Sequence, residues 1–370
     1  MQETKILHIA PAYQTKGGGI FEVVENLSAS QCKDNKTSVD ILCLETFEGR
    51  VNLNKSTYNL LPSRVIQLLL MYKTVNFLRN KMWQYDVVHI HGAWSFQFAL
   101  IAPFIFFFKG KIIYQPHGLL CPIRMKKSWL IKKLAWLSYQ RYFLKYSRRI
   151  VCCSEKEARE VLAILSRREK IKVIPNGLDD EFFLEKSTKF QRKNRFMFFS
   201  QIIPIKNLES VFYAISELKH KDSYDMYLDI YGYGPESYII ELKSLMNTLS
   251  ISENILFKGA ISRDKRVAVY DEYNYFILPS LSENFAIVVL EALSRGCKAF
   301  VSTQTPWGEY SHDSLIMFDP DKFSVYSTLK SQLLSNQHPV KSKSKNGLDL
   351  DKFNWDDISI LFNKLYFLNK

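Results

Sequence analysis

Short apolar runs, each bounded by turn residues, recur along the chain with helical stretches between them. Apolar runs of this length are typical of strands buried in a parallel sheet. Six of them precede the turn Pro175-Asn176-Gly177, and five follow it. They span residues 6–9, 39–44, 87–90, 111–115, 149–152 and 172–174, then 196–200, 226–231, 255–257, 275–278 and 299–301.

Strand–helix alternation on both sides of one turn-rich junction predicts an α/β protein with two doubly wound parallel-sheet domains. The 370 residues are enough for two such domains. We place them at residues 1–177 and 178–352, with the ligand at the carboxyl ends of the strands in a cleft between them. The apolar-periodic stretch within residues 353–370 predicts a closing helix that returns toward the N-terminal domain.

Composition favours an ordinary globular protein of the cytoplasm. The chain is 47% hydrophobic and 24% charged, and its six cysteines show no C-x-x-C spacing, which argues against a disulfide framework and a structural metal. The first residues lack the organisation of a signal peptide. The longest apolar stretch, residues 96–108, is 13 residues long and falls short of the ~20 that span a bilayer.

The net charge of +13 is confined to the first half of the chain. Residues 1–177 hold 27 Lys and Arg against 12 Asp and Glu, whereas the remainder holds 23 against 25. No acidic residue lies between Asp86 and Glu155, and residues 124–149 interleave nine Lys and Arg with Trp and Tyr. This segment is either a solvated basic helix face or a surface for an anionic membrane or lipid phosphate. Nucleic acid is the weakest alternative, because no nucleic-acid motif accompanies the charge.

Two strand ends of the first domain carry candidate chemistry. Gly17, Gly18 and Gly19 lie between the first strand and a helix, where the backbone can approach a diphosphate, although a plain turn fits as well. The spacing fits neither a dinucleotide-binding motif nor a P-loop. His117 follows the strand at 111–115 and can point into the predicted cleft, although an ordinary hydrogen-bonded loop histidine fits as well. His89 and His91 share a strand face, but no further ligand completes a metal site.

The second domain carries the more specific signal. Lys206 leaves a strand in a loop and could meet a phosphate as a point charge, although such lysines are usually only solvated. Tyr231-Gly232-Tyr233-Gly234-Pro235 is interpreted first as a turn and second as a ligand loop. Glu283 and Glu291 flank a predicted helix start near Asn284 to Phe285 and can accept hydrogen bonds from hydroxyls. Glu291 lies among apolar residues, so it needs a partner or an exposed position.

In their order and spacing, these segments resemble the GT-B glycosyltransferases of family 4, which transfer sugars from nucleotide donors with retention of configuration. The resemblance covers nearly the whole chain and implies two Rossmann-like domains that face a central cleft. The motifs are Gly17-Gly18-Gly19, His89-Ile90-His91-Gly92, Pro116-His117-Gly118, Cys153-Ser154-Glu155, Ile174-Pro175-Asn176-Gly177-Leu178-Asp179, Pro204-Ile205-Lys206-Asn207, Gly232-Tyr233-Gly234-Pro235 and the segment from Glu283 to Glu291. Thr305-Pro306-Trp307-Gly308-Glu309 and Phe353-Asn354-Trp355 look like members that build bacterial surface polysaccharides such as O-antigen, capsule or exopolysaccharide.

The resemblance implies a role for each matching position. Gly17 to Gly19 would line the diphosphate and acceptor side, His117 would contact the transferred sugar, and Lys206 would neutralise the donor diphosphate. Glu283 would hold sugar hydroxyls, and Glu291 would bind the ribose hydroxyls. The donor's own phosphate oxygen would help to deprotonate the acceptor, so that catalysis needs charge stabilisation more than a protein nucleophile.

Two positions depart from the family pattern. Gln201 stands where an arginine is usual, which removes one cation from the diphosphate site. Ala286 stands where a glycine is common after Phe285, in a segment from Asn284 whose backbone would face the sugar and phosphate. Because no D-x-D motif follows a central strand, we expect a metal-independent enzyme without a cofactor, whose co-substrate is a UDP- or GDP-linked sugar.

The sequence therefore predicts a cytoplasmic, peripherally membrane-associated glycosyltransferase that acts on a glycan or lipid-linked acceptor and binds no nucleic acid. Two alternatives stay open at this point. A GT-B nucleotide-sugar epimerase would share the fold without using an acceptor. A non-catalytic nucleotide- or glycan-binding relative is conceivable because of Gln201.

Overall fold

The computed structural model divides the chain into two compact units. The first comprises Met1–Gly177 together with Lys352–Lys370, and the second comprises Leu178–Asp351. The residues described are 3–11, 19–34, 36–43, 57–59, 67–126, 128–165, 167–185, 192–334 and 348–367.

The first unit is built on a seven-stranded sheet in the order β3-β2-β1-β4-β5-β6-β7, with every pairing parallel. The strands are β1 (Thr4–Ala10), β2 (Thr37–Cys43), β3 (Thr57–Asn59), β4 (Val87–His91), β5 (Lys111–Gln115), β6 (Arg149–Cys152) and β7 (Ile171–Val173). The helices that precede the second unit are α1 (Gly19–Gln31), α2 (Gln67–Lys81), α3 (Phe98–Phe107), α4 (Pro122–Lys126), α5 (Trp129–Ala135), α6 (Arg141–Tyr146) and α7 (Glu155–Leu165). A π-helical turn, Trp136–Gln140, joins α5 to α6.

The second unit is built on a six-stranded parallel sheet in the order β10-β9-β8-β11-β12-β13. Its strands are β8 (Arg192–Phe199), β9 (Tyr227–Tyr231), β10 (Ile255–Gly259), β11 (Tyr273–Leu278), β12 (Lys298–Ser302) and β13 (Leu315–Phe318). Its helices are α8 (Leu208–Asp222), α9 (Glu236–Thr248), α10 (Arg266–Tyr270), α11 (Ile287–Ser294) and α12 (Lys322–Leu334). Short 3-10 helices in the two units span Met82–Gln84, Arg168–Lys170, Asp180–Phe183, Pro204–Lys206, Ser252–Asn254, Arg263–Lys265, Pro306–Glu309 and Leu350–Phe353.

Both sheets reverse their strand order beside the first strand of the unit, between β1 and β4 and between β8 and β11. Ligands of doubly wound sheets bind beyond the carboxyl ends of the strands at such a switch point. Each of the eleven predicted runs contains a strand, and the predicted α/β fold is confirmed. Two short strands, β3 and β13, were not predicted, because each is only three or four residues long and lies at a sheet edge.

Alternate residues of the central strands of the first sheet enter two separate cores. Leu7 and Val88 pack on one face, whereas Ile6, Val87 and Ile113 pack on the other. This alternation follows from the two-residue period of a strand. Because helices cover both faces, the strands read as continuous apolar runs in the sequence.

The last helix, α13 (Trp355–Phe367), belongs to the first unit. Its buried Trp355, Phe362 and Tyr366 complete one of the two cores, and Ser30 Oγ of α1 donates to the Trp355 carbonyl at 3.1 Å. The junction glycine, Gly177, lies directly against this helix. A Cβ at Gly177 would lie 2.5 Å from the Trp355 ring, so only glycine allows the close approach.

None of the six cysteines, all of which the structure describes, forms a disulfide. Among the described residues, no helix is long and apolar enough to cross a membrane.

Candidate active site

Three loops meet at the carboxyl edge of the second sheet. Leu281 N donates to the carbonyl of Ile205 at 2.8 Å and joins the loop after β11 to the loop after β8. The side chain of Asn207 donates from Nδ2 to the carbonyls of Pro279 at 3.1 Å and Pro320 at 2.7 Å. Its backbone has a φ of 55°, in the left-handed region that Asn tolerates better than most residues. Asn207 therefore fixes the loop that carries Lys206.

Lys206 and Glu283, two of the predicted site residues, form an ion pair at this edge. Lys206 Nζ donates to Oε1 of Glu283, and the two side chains are only 13% and 12% exposed. Ser280 Oγ donates to the same oxygen at 2.7 Å. The other oxygen of Glu283 accepts no hydrogen bond from the described part of the chain. The pair thus combines a cation with a carboxylate oxygen that can still accept from a hydroxyl.

The segment from Asn284 to Ala286 leads into α11, which begins at Ile287. The prediction of a helix start near Asn284 to Phe285 is therefore wrong by two residues. Ala286 has a φ of 58° and a ψ of 64°, and a left-handed residue cannot belong to a right-handed helix. The fully buried Trp307 holds this segment, because its Nε1 donates to the Phe285 carbonyl at 2.7 Å.

Replacing Ala286 with glycine should raise the free energy of unfolding by about 0.5–1 kcal/mol, because glycine adopts the left-handed conformation without a Cβ penalty. Urea unfolding measures the change. Ala292→Gly, in the interior of α11, is the matched control and should lower the free energy instead. A loss of stability in Ala286→Gly would contradict the left-handed geometry.

Glu291, the predicted ribose ligand, is 2% exposed and contacts side chains of α10. Tyr270 donates its hydroxyl to Oε2 at 2.8 Å, and Arg266 Nη1 lies 3.5 Å from Oε1. The Arg266 guanidinium also lies 5.6 Å from the centre of the Phe199 ring. Sequence reasoning required a partner for Glu291 but could not name Tyr270 or Arg266. Binding of ribose hydroxyls by Glu291 stays a prediction.

Gln201, at the position where the family pattern has arginine, is exposed and donates from Nε2 to the Tyr233 hydroxyl at 3.2 Å. The glycines around Tyr233 have a packing role. A Cβ at Gly232 would lie 1.8 Å from the Ser200 carbonyl oxygen, and one at Gly234 would lie 1.9 Å from that of Ile202. This loop is therefore a turn packed against the chain after β8, as its first interpretation predicted.

His117 lies on a tightly held loop of the first unit, two residues after β5. Its φ is 54°, and that of Gly118 is 71°. The buried carboxylate of Glu157 accepts the backbone N–H of Gly118 and, at 2.7 Å, that of Cys153. Burial raises the pKa of Glu157 to about 7, although these two N–H groups act in the opposite direction. The motif Cys153-Ser154-Glu155 pointed to this place without revealing the part that Glu157 plays.

His117 is also one of four buried histidines of the first unit. His8 of β1 lies in register with His89 of β4, and His91 follows on the same face. Burial lowers the pKa of all four rings, to about 4 for His8 and about 3 for His117. Sequence reasoning found the pair on β4 but not His8, because only strand pairing brings β1 beside β4.

Ligand nitrogens of His8, His89 and His91 lie within 4.8 Å of one another. In the part of the chain that the structure describes, this is the one group of three or more potential ligands. However, Nδ1 of His8 and Nε2 of His91 lie 2.8 Å apart, closer than the roughly 3.3 Å expected for two nitrogens on one tetrahedral zinc. The cluster therefore has the geometry of hydrogen-bonded rings. Metal independence stays a prediction.

Gly17 and Gly18 lie outside the described residues. Gly19 is the first residue of α1, and a Cβ at this position would meet nothing within 4 Å. The predicted diphosphate contact of these glycines stays a prediction.

Comparison with known proteins identifies the enzyme class. Residues 17–182 match Glycosyltransferase Family 4, and residues 179–336 match Glycosyl transferases group 1. The chain belongs to glycosyltransferase family 4. This glycosyltransferase is 24% identical over 322 residues to an uncharacterised 41.2 kDa protein in the cps region of Klebsiella pneumoniae, with 84% of each chain covered. It is 20% identical to the GDP-mannose:cellobiosyl-diphosphopolyprenol alpha-mannosyltransferase of Komagataeibacter xylinus, over 98% of this chain and 92% of that protein.

The fold of this glycosyltransferase is also that of solved structures. HepE from Anabaena, crystallised with UDP and glucose, superposes with a TM-score of 0.74 at 14% identity, over 98% of this chain and 99% of HepE. The glycosyltransferase prediction and the GT-B fold are confirmed. Neither the epimerase nor the non-catalytic alternative is favoured by these relatives.

Proposed function

We propose that this glycosyltransferase moves a sugar, with retention of configuration, from a nucleotide-sugar donor to a lipid-linked glycan during assembly of a bacterial surface polysaccharide. The observation that carries the donor half is the Lys206–Glu283 pair at the carboxyl edge of the second sheet. The acceptor half is supported by the relatives from Komagataeibacter xylinus and the cps region of Klebsiella pneumoniae.

The chemistry follows from the charges at this edge. The bond between the anomeric carbon and the donor diphosphate breaks, and the acceptor oxygen forms the new bond. The acceptor proton passes to a phosphate oxygen of the donor. Lys206 stabilises the negative charge that grows on the departing diphosphate, while Glu283 accepts from hydroxyls of the sugar. Because both groups are held in advance by Asn207 and Ser280, little reorganisation is needed during the reaction.

GDP-mannose is the donor that we propose, since the curated relatives that name a donor name this one. Product formation from GDP-mannose and from UDP-glucose is compared on a polyprenyl-diphosphate disaccharide, with and without a chelator. An α-linked mannoside formed in the presence of the chelator supports the proposal. Transfer from UDP-glucose alone overturns the choice of donor, and a β-linked product overturns retention.

Thermal unfolding with GDP, UDP and ADP separates nucleotide binding from transfer. A nucleotide at 100 times its dissociation constant should stabilise the protein by about 2.7 kcal/mol. Glu291→Gln, which can still accept from Tyr270, should reduce this stabilisation, whereas Glu253→Gln at an exposed site of the same unit should not. Equal stabilisation of the native protein, Glu291→Gln and Glu253→Gln by the nucleotide would argue against a ribose contact by Glu291.

We further propose that the first unit docks on an anionic membrane through α5 and its neighbours. Ala135 is the only buried residue of α5. Trp129, Ile131 and Leu134 are 58%, 71% and 69% exposed. Apolar residues of α5 are thus exposed, whereas later positions of the segment, such as Phe143, are buried in the core. An apolar surface of this kind on a helical segment suits the boundary between headgroups and acyl chains.

Basic side chains accompany this apolar surface. Arg124, Lys126, Lys133 and Arg141 are exposed, and Lys133 lies 5.9 Å from the centre of the Trp129 ring. Since no acidic residue occurs between Asp86 and Glu155, no carboxylate from this stretch offsets their charge. Each lysine near an anionic leaflet adds about 1 kcal/mol of attraction. This combination of exposed apolar and basic side chains supports docking of the first unit on the membrane that carries the lipid-linked acceptor, rather than binding of nucleic acid.

The double substitution Lys126→Gln and Lys133→Gln should lower partitioning onto vesicles with anionic lipid by about 25-fold, because about 1 kcal/mol is lost for each charge. Flotation measures the bound fraction against vesicles of zwitterionic lipid alone. Lys243→Gln with Lys258→Gln removes two exposed charges from the second unit and is the matched control. Binding that ignores anionic lipid and survives the first pair of substitutions would show that this surface is not the docking site.

A further inference from the structure

Three of the buried histidines form a continuous hydrogen-bonded chain that ends at a glutamine. His117 Nε2 lies 3.0 Å from His91 Nδ1, and His91 Nε2 lies 2.8 Å from His8 Nδ1. His8 Nε2 lies 2.9 Å from Oε1 of Gln31 on α1. These contacts use both ring nitrogens of His91 and His8 but only one of His117.

Gln31 sets the direction of hydrogen donation along the hydrogen-bonded chain of histidines. A carbonyl oxygen only accepts, so His8 carries its hydrogen on Nε2 and accepts at Nδ1. His91 must then donate from Nε2 and accept at Nδ1, and His117 must donate from Nε2. The Gln31 amide lies with its Nε2 3.4 Å from Oδ1 of Asn363 on α13, which leaves its Oε1 facing His8.

The hydrogen-bonded chain of histidines requires that its imidazole rings are neutral. A neutral imidazole has one N–H and one lone pair, whereas a protonated ring donates from both nitrogens and would oppose the N–H of its neighbour. All the rings are buried, and burial holds the pKa of each well below 6.5. One tautomer of each ring therefore satisfies every contact in the chain.

We infer that His91, His8 and Gln31 are positioning residues, which hold His117 as the neutral tautomer with its hydrogen on Nε2 and its lone pair on Nδ1. This inference rests on the proposed function only in the identity of the ligand, a hydroxyl group of the sugar substrate. Nδ1 of His117 accepts no hydrogen bond from the described residues. His117 is thus an acceptor at its free nitrogen and would hold a hydroxyl that donates.

His89 belongs to the same cluster but not to the chain. Its Nδ1 lies 2.7 Å from the Tyr366 hydroxyl, and its Nε2 is buried without a hydrogen bond. Its ring also packs against that of His91, with the ring centres 3.9 Å apart and the planes tilted by 36°. A substitution of His89 therefore disturbs the same core as a substitution of His91 while leaving the donor sequence intact, which makes it the matched control.

Nitrogen NMR of the full-length protein labelled with ¹⁵N-histidine tests the inference without any substrate. Protonated and unprotonated ring nitrogens differ in chemical shift, and a His117→Ala protein identifies the signals of His117. At pH 7 we expect a protonated Nε2 and an unprotonated Nδ1 at His117, His91 and His8. A protonated Nδ1 at His117, or shifts averaged between two tautomers, would overturn it.

Gln31→Met removes the acceptor that directs the chain but keeps the size of the side chain. Both tautomers of His117 should then be populated, and kcat should fall in proportion to the fraction that keeps its hydrogen on Nε2. Equal populations would give a twofold loss. His89→Gln should leave the single tautomer of His117 unchanged, and mixed tautomers in that protein would show that packing alone sets them.

The two measurements distinguish this inference from the proposed function. If Gln31→Met mixes the tautomers of His117 but kcat does not fall, the hydrogen-bonded chain does position His117. The proposed contact of His117 with the sugar is then wrong. If His117 of the native protein has the opposite tautomer, the inference fails whatever the transfer activity.

Discussion

Replacing Lys206 with methionine should lower kcat for transfer by about 10²–10³-fold, the usual loss when one preorganised group that stabilises transition-state charge is removed. Methionine keeps the apolar length of lysine, so the loss reports the charge. The effect should be large here because Gln201 leaves the proposed diphosphate site without the arginine of the family pattern. Initial rates at saturating donor and acceptor measure the change.

This variant should also be destabilised, by up to about 3–5 kcal/mol, because Glu283 is only 12% exposed and loses its cationic partner. The rates are therefore compared at a temperature at which both proteins are folded. Lys243→Met, in an exposed position of α9, is the control for a lost charge in the same unit. Retention of more than a third of the activity in Lys206→Met would contradict the assignment. Arg266 would then be the first candidate for the missing cation.

Acidification from pH 7 to pH 5 should destabilise the first unit by roughly 5 kcal/mol. The cause is the set of four buried histidines, His8, His89, His91 and His117, whose pKa values burial lowers from 6.5. Below pH 6.5 the unfolded chain binds a proton on each ring that the folded unit excludes. The free energy of unfolding therefore falls as the pH falls, down to the folded pKa of about 4 for His8 and about 3 for His117.

One buried acid opposes this effect. Burial raises the pKa of Glu157 from 4.5 to about 7, so the folded unit keeps a proton that the unfolded chain releases between these values. Each of the four rings costs up to about 1.4 kcal/mol per pH unit, and Glu157 returns the equivalent of one ring. The other group that faces the rings from α13, the Tyr366 hydroxyl, is neutral throughout this range.

Urea unfolding at pH 7, 6 and 5 measures this dependence. His89→Gln should reduce the slope against pH by the share of one proton. A free energy of unfolding that is the same at pH 7 and pH 5 would mean that the folded unit accepts protons on these rings.

The fold could be predicted from the sequence because its signals are local. A strand covered on both faces is a run of apolar residues, and the run at 149–152 alone is enough to place β6. The start of α11 was misplaced because no local signal marks it. The side chain at Ala286 gives no sign of its left-handed backbone, and the residue that holds the preceding carbonyl, Trp307, lies far along the sequence.

The site residues that follow strand ends were predicted from the sequence. The residues that act on a distant loop or strand from within a helix were missed. Lys206 and Glu283 each follow a strand end, and the sheet order places the two loops side by side. Glu157 and Gln31 lie on helices and act on a histidine loop and a strand far away in the sequence. Nothing in the local pattern of either helix marks these residues, since only the folded chain brings the partners together.

The return of α13 to the first unit sets the order in which the protein can be completed during synthesis. The second unit is contiguous in sequence and can close as soon as residue 351 has left the ribosome. The first unit, although translated earlier, lacks Trp355, Phe362 and Tyr366 until the second unit has been translated, and these residues form part of one of its cores. Until they arrive, the buried histidine layer of the nascent chain is open to water on the side that α13 will cover.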